Sequence, residues 1–453
     1  MYIKSTITKE SSVHLAKRLD TKKSILQFLP KCLYDISTIK TLQFNNTKLK
    51  TDYIIDITHN LILKYYFKKD NRFALNAIIL KDKYGYLYNY YIMYLVDKGI
   101  IKLVSNHQKG ISSRVYTLNN EIFKSDIKRY KNFDKVLLKK YKKKFIDSIH
   151  IDETSDKNLI EEDIRAKLVS DLFSVKIEFD RAIFFLDSLK YQDYDIYNRN
   201  IYSVECINNQ HIFYHFDNYG RLHTNYTILK SFIRKNCLLI DGEETCEIDI
   251  MNSQPLFLAK LLSESNSSWV KEDELKLFTQ LTVSGNYYQY IMKELNESDK
   301  KVVKELTYKV LFGRNMKNSK ADKVFISLFP TIHNFIKLYK KEKGDYRVLA
   351  YDLQKAESNL IFNTIIKKIM NIYPEIKIIT VHDSIVFPSK YKDVVNSIFE
   401  NEINSEFKNN DIFVYEDDKK NKSIEKYIVE QDTYTTLYGY MNKYDKYIQM
   451  LSD

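Results

Sequence analysis

Two aspartates stand in settings suited to metal-assisted phosphoryl chemistry. Asp249 lies in Cys246-Glu247-Ile248-Asp249-Ile250-Met251-Asn252-Ser253-Gln254-Pro255, and Asp383 in Ile378-Ile379-Thr380-Val381-His382-Asp383-Ser384-Ile385-Val386-Phe387-Pro388. A bare carboxylate among apolar residues needs a partner. A divalent cation shared by both aspartates supplies one. Two carboxylates holding two ions about 3.5–4 Å apart make the clamp of phosphoryl-transfer enzymes. Magnesium suits carboxylate and phosphate oxygens best, with manganese as a substitute. Between the two segments, Lys300, Lys304, Tyr308 and Phe312 recur every fourth residue, followed by Gly313. On a helix each step of four advances about 40° beyond a full turn, so all four share one broad face. Two ammonium groups at the start of that face suit a triphosphate, and the rings suit a base and sugar.

The elements that must position these groups follow from local pattern. Glu247 to Ile250 alternates like a short strand, entered by the turn Asp241-Gly242. Asn252 or Ser253 is placed to cap the next helix, with Pro255 in its first turn. Asp249 then sits where a strand ends and a helix begins. The competing role for Asp249 is that of a mere cap residue. Lys377 to Val381 and Ser384 to Phe387 read as two strands with His382-Asp383 at a tight hairpin tip. A His-Asp phosphohydrolase is the other use of such a pair, but its further ligands on helices are missing. For the Lys-Tyr-Phe helix the plain alternative is ordinary amphipathicity, since Val302, Val303, Leu306, Val310 and Leu311 form a separate apolar stripe.

Upstream, Tyr88 to Asp97 reads as a helix stopped by Lys98-Gly99. Strands follow at Ile100 to Val104 and Ser113 to Leu118, joined by a turn at Asn106 to Gly110. Helix, strand, turn, strand over 73–119 resembles a winged-helix module, with His107, Lys109 and Arg114 near phosphates. The alternative is a helix and hairpin with a basic surface. Glu121 to Ile149 reads as a basic helix, and its run Lys139-Lys140-Tyr141-Lys142-Lys143-Lys144 is either a phosphate grip or a solvated face. The acidic stretch Asp152 to Asp163 marks a boundary. Asp163 to Leu189 has helical periodicity, and the polar, Tyr-rich 191–208 reads as loops and short strands. In Gly220-Arg221-Leu222-His223-Thr224, the donors Arg221, His223 and Thr224 can meet an anion.

The whole chain sets the frame. At 453 residues, 44% hydrophobic and 29% charged, it suits two or three globular domains. With 9 glycines, none at Walker or Gly-x-Gly-x-x-Gly spacing, P-loop and dinucleotide-binding readings have no sequence support. A net charge of +12 favours a polyanionic partner, although Lys-rich composition bias produces the same sign. The many rings, 37 Tyr and 25 Phe, offer faces for base stacking, most of them destined for the core. Four scattered cysteines and an N-terminus without an apolar signal core point to a reduced, cytoplasmic protein. No apolar run reaches the roughly 18 residues of a membrane span.

The order and spacing from Gly220 to Pro388 resemble the palm and fingers of family A DNA polymerases, the group typified by bacterial DNA polymerase I. Single-subunit phage-type RNA polymerases share some of these features. The resemblance implies that Asp249 and Asp383 are the metal-binding aspartates, with the Ile250 carbonyl as an extra ligand. It implies that Lys300 and Lys304 contact the triphosphate, Lys304 as a catalytic residue, while Tyr308 and Phe312 face the incoming nucleoside. Gln354 would lie near the primer-template minor groove and His382 near the primer terminus. Arg221 and His223 would belong to a nucleic-acid-contacting segment before the palm. Four residues depart from the DNA-polymerase pattern. Ser384 stands where those enzymes have glutamate, Gln254 lies nearest the place of the glutamate that excludes a ribose 2′-hydroxyl, and Tyr308 and Phe312 swap ring types.

The expectation is an α/β (α+β) right-hand polymerase. It has a basic, mostly helical nucleic-acid-binding region over 1–150 and a thumb-like connection over 151–240. Palm and fingers occupy 241–453. The expected activity is template-directed addition of deoxynucleotides to a 3′-hydroxyl, without proofreading. Its partners would be a DNA or RNA template and primer, nucleoside triphosphates and two magnesium ions, with no membrane. The alternatives are a primase or RNA polymerase using ribonucleotides, favoured by Ser384 and Gln254, and a winged-helix replication initiator with a degenerate palm.

Overall fold

Two hydrophobic cores organise the chain in the computed structural model. The first gathers side chains from Ile25 to Leu137 and the second from Ile160 to Ile403. The described residues are 22–68, 71–107, 113–119, 121–122, 127–147, 159–190, 193–265, 269–315, 319–407 and 414–416. Lys109 and most of the acidic boundary stretch lie outside them, as does the side chain of Lys144.

The first core is mixed α/β rather than mostly helical. Strands Ile25–Pro30 and Ile127–Asn132 pair antiparallel, so the region read as one basic helix from Glu121 contains a strand. Beyond that strand, Lys135–Asp147 is helical. The mismatch has a local cause. Asn132 is buried and Ile127 and Tyr130 are half-buried, while Lys128, Arg129 and Lys131 are exposed, so no regular period marks this strand in a lysine-rich sequence. Helix Thr51–Lys68 lies against the first strand. Strand Arg72–Leu75, helices Ala77–Tyr84 and Tyr88–Asp97, and strands Ile101–Ser105 and Arg114–Leu118 follow in order. Arg114–Leu118 is the middle strand of this small sheet, between Arg72–Leu75 and Ile101–Ser105. Gly99, at φ 64, turns the chain from helix to strand.

The second core is built on an antiparallel sheet ordered Ile379–Val381, Ser384–Pro388, Glu243–Ile250, Leu238–Ile240, Val175–Ile177, with Val414–Glu416 also pairing the Glu243–Ile250 strand. Two of these strands come from 151–240, and its side chains share the core, so that stretch is part of the sheet domain and not a separate connection. Tyr194–Asn208 is a helix, where loops and short strands were expected; its Asp193 cap accepts from the Ile196 amide. Val204, Cys206 and Ile207 bury its inner side, beneath a polar majority that masks the period. The periodicity over 163–189 is likewise split into helix Glu162–Asp171, strand Val175–Ile177 and helix Phe179–Lys190.

Candidate active site

The two aspartates are brought together by strand pairing. Glu243–Ile250 is entered through Asp241 and Gly242, both at positive φ (51 and 84), the two-residue hairpin turn that matches strand twist. It pairs with Ser384–Pro388 in a register that sets Ile248 opposite Ile385. Val381 pairs with Ser384, so His382 and Asp383 form the hairpin tip, with His382 in the left-handed region at φ 60. Every residue of Ile379–Val381 and Ser384–Pro388 is buried, which fixes the tip against the sheet. Asp249 and Asp383 are half-buried there.

Both carboxyls are held above the usual carboxylate range. Burial is the main cause for Asp249, followed by the charge of Glu247. For Asp383 it is burial, then Asp249 and Glu357. Like charges in a desolvated site disfavour joint ionisation. The Asp249 Oδ1 atom is buried and has no hydrogen-bond partner.

A third carboxylate, Glu357, organises one wall of this site. It is 1% exposed. It accepts from Ser253 Oγ at 2.5 Å, from Arg221 Nη2 at 2.5 Å and from Gln254 Nε2. Glu357 was not singled out from sequence. Its signal was a lone acid between Leu353 and Leu360 on the inner face of helix Val348–Ser358. A fourth, Glu247, accepts from Ser384 Oγ at 2.6 Å and was equally missed. Neither Asn252 nor Ser253 caps the helix Ser253–Glu264 through its side chain. Asn252 takes a left-handed backbone (φ 54, ψ 34), and the Ser253 hydroxyl is directed to Glu357 instead.

The basic helix runs Lys300–Phe312, with Asp299 accepting from the Lys301 amide at 2.8 Å. Val303, Leu306, Val310 and Leu311 are buried, as the stripe required. Lys300 and Lys304 are exposed, while Tyr308 and Phe312 are half-buried and stack at 5.1 Å between centroids. Burial, then the charges of Asp383 and Glu357, raise the Tyr308 phenol, so its hydroxyl stands within electrostatic reach of those two carboxylates. Tyr288, buried beneath it, is raised by burial and by Tyr308. Lys340 closes the helix, its buried ammonium donating to Val310 O at 2.6 Å and Gly313 O at 2.9 Å.

All three of the expected anion donors are already engaged. Arg221 pairs with Glu357, and His223 Nε2 meets Asp217 Oδ2 at 2.9 Å. The Thr224 hydroxyl caps the next short helix. His382 stands edge-on to His223 at 6.2 Å. Desolvation, then Arg221 and His223, bring its imidazole down to about 4. Gln354 is half-buried on the same helix as Glu357.

Among the described residues no three His, Cys, Asp or Glu side chains form a ready set of metal ligands. The donor set fits a cation held by Asp249, Asp383 and a main-chain carbonyl such as that of Ile250, with the remaining ligands coming from a substrate. The partnerless Asp249 oxygen and the like-charged surroundings are what make that fit.

No helix among the described residues is long and apolar enough to cross a membrane. All four cysteines are free thiols. No family model matches the chain, and no curated protein matches it. Among solved structures, the chain is similar to the polymerase domain of Pol1 from M. smegmatis in complex with DNA primer-template and dNTP. Identity is 13%, over 51% of this chain and 54% of that one, at a TM-score of 0.37. The chain thus spans about half the length of that structure, and a likeness at this level does not establish a shared fold.

Proposed function

We propose that this chain is a template-directed nucleotidyltransferase, with its centre at Asp249 and Asp383. One observation carries the reading. Asp249 on one strand meets Asp383 at the tip of the hairpin paired with it, beside a third buried carboxylate and the ring of Tyr308. Asp249, Asp383 and the Ile250 carbonyl hold divalent cations, magnesium by preference. Such ions, when bound, lower the pKa of an attacking 3′-hydroxyl and stabilise the departing pyrophosphate. Lys300 and Lys304 bind the triphosphate from the exposed start of their helix, and the stacked Tyr308 and Phe312 support the base and sugar. Arg221, fixed by Glu357, and His382, held neutral, line the side of the site where a primer end would lie.

The first core supplies duplex binding in this reading. Its strand order, with Arg114–Leu118 between Arg72–Leu75 and Ile101–Ser105 after two helices, supports a winged-helix module. Deoxynucleotides are the proposed substrates. Ribonucleotides are the second reading, because the Gln254 amide that would bound the sugar is tied to Glu357 rather than projecting as a free carboxylate.

One assay tests the set. The protein is incubated with primed and unprimed templates, magnesium, and either deoxynucleotides or ribonucleotides. Primer extension with deoxynucleotides is expected, and Asp383→Asn abolishes it while nucleic-acid binding persists. Ribonucleotide products would favour the second reading. Absence of any synthesis, with DNA still bound, would leave only the DNA-binding role, and synthesis by Asp383→Asn would overturn the metal assignment.

A further inference from the structure

A cavity of about 200 Å³ lies where the two cores meet, far in sequence from the aspartates. Lys22, Lys23, Ser24 and Lys131 line it from one side, Asn209 and His211 from the other. Lys22 to Ser24 lead into strand Ile25–Pro30, and Lys131 lies on the strand paired with it, opposite Leu26. Asn209 and His211 belong to the turn that ends helix Tyr194–Asn208. That turn is locked. The Gln210 amide donates to Ile207 O at 2.9 Å and the His211 amide to Cys206 O at 2.8 Å, with Gln210 in the left-handed region at φ 57.

The lining is cationic and uncompensated. Among the described residues, none of Lys22, Lys23 and Lys131 forms an ion pair. Glu205 reaches the Asn209 amide at 3.4 Å, but its carboxylate is taken by Arg129 at 2.9 Å. The Asn209 NH2 group is itself spent on the Glu205 carbonyl at 2.8 Å. Lys22 donates to the Gln210 carbonyl, which leaves two of its three N–H bonds. His211 Nδ1 accepts from the Leu26 amide at 3.3 Å, so Nε2 carries the proton and is a donor. Burial lowers the Lys22 ammonium to about 8, with no carboxylate to hold it up. Burial, then the charges of Lys22, His59 and Lys131, bring the His211 imidazole to about 3. Lys22 and Lys131 thus both act on one ring. Like charges gathered round a desolvated ammonium are unfavourable until an anion joins them.

We propose that this cavity is a site for a small inorganic phosphate anion, phosphate or pyrophosphate, that bridges the two cores. The proposal does not rest on the nucleotidyltransferase reading. Its chemistry is that of lysine as a point charge for phosphate, joined by the Ser24 hydroxyl and His211 Nε2. Size selects the ligand. The cavity is smaller than the roughly 300–1,000 Å³ of sites for organic ligands, so it suits a compact anion rather than a whole nucleotide. Shape does the same, since the cations converge on one cavity from two segments instead of following a strand's backbone along a surface. The ordinary role of Lys22 is to cap the helix end through the Gln210 carbonyl. That role accounts for one lysine and leaves Lys23 and Lys131 unexplained beside it.

The test is isothermal titration calorimetry with the full-length chain carrying Lys300→Gln/Lys304→Gln, in EDTA and without nucleotide. This parent lacks the lysines assigned to the triphosphate, so anion binding there does not confuse the result. Pyrophosphate and inorganic phosphate are titrated separately, and saturable binding of at least one of them is expected. Adding Lys23→Gln/Lys131→Gln should weaken that binding about tenfold. The same anion should raise the thermal midpoint of the parent and raise it less in the lysine variant. An oligonucleotide with 5′-hydroxyl ends, which offers only diester phosphates, should leave the titration unchanged. Absence of saturable binding by both anions, binding indifferent to the lysine pair, or equal competition by the oligonucleotide would each overturn the site. Lys23 and Lys131 are exposed, so their replacement tests the charge and not the fold, which circular dichroism checks. The titration needs no synthesis, and its outcome therefore stands whichever way the primer-extension assay falls.

Discussion

Replacing Glu357 with glutamine is the sharpest probe of how the centre is held together. The carboxylate is 1% exposed and accepts from three donors on two separate segments, Arg221 on one and the helix residues Ser253 and Gln254 on the other. Glutamine keeps the shape but removes the charge, and its NH2 group must then face at least one of those donors. Hydrogen bonds to a charged group contribute about 1.5–3 kcal/mol each, and breaking a buried ion pair costs about 3–5 kcal/mol. The Arg221 side chain is 19% exposed, so water relieves part of its isolation. The net expectation is a loss of about 2–4 kcal/mol. It would be read as a lower urea midpoint at unchanged slope for the unfolding step of the second core. A second consequence runs the other way. Glu357 helps to hold Asp383 and, more weakly, Asp249 above the carboxylate range, so both aspartates should ionise more readily in Glu357→Gln. A variant with wild-type stability, and no coupling to Gln254→Ala in a double-mutant cycle, would refute this account of the wall.

Three further outcomes follow from the geometry. Gly220→Ala should cost about 1–3 kcal/mol, because φ is +85 and the new Cβ would meet Leu159 Cδ2 at 2.8 Å. Thermal denaturation checks it, and a neutral effect would mean the turn relaxes freely. Lys340→Met should leave the Val310 and Gly313 carbonyls without their donor, at a cost of about 1–3 kcal/mol. Faster amide exchange over the last turn of Lys300–Phe312 is the specific readout, and wild-type protection there would sink the idea. Burial lowers the His59 imidazole to about 4, while its Nδ1 accepts from the Phe28 amide at 3.0 Å. The unfolded chain binds a proton below about 6.5 that the folded chain refuses. His59 therefore contributes stability that is present above about pH 6.5 and is lost as the pH falls toward 4, at about 1.4 kcal/mol per unit. A His59→Asn protein should lose that part of the slope in urea titrations across this window, and an unchanged slope would contradict it.

Much of the centre was legible because its parts are local. The turn at Asp241-Gly242, the hairpin tip at His382-Asp383 and the helix Lys300–Phe312 are each dictated by a few neighbouring residues, and each forms where the pattern put it. Helix Tyr88–Asp97 with Gly99 beyond it is of the same kind. Elements whose amphipathic period is masked by polar or basic residues were misread, namely Tyr194–Asn208 and Ile127–Asn132. Their identity rests on partners elsewhere in the chain, which local propensity does not see.

By itself, then, the amino-acid sequence determined the pieces of the candidate site: two aspartates at strand ends, a lysine-tyrosine-phenylalanine face at helical spacing, and a basic chain without phosphate-binding glycines. What only the tertiary structure decided is which groups share a space. It drew Glu357 in from one helix to Arg221, Ser253 and Gln254, and set Glu247 against Ser384 across two strands. It also gathered Lys22, Lys131 and His211 from three distant segments round one cavity. The physical reason is range. Capping, turns and periodicity act over a few residues, while the burial of a charge is settled by whichever donors the fold brings to it, and their positions in the chain carry no mark of that meeting.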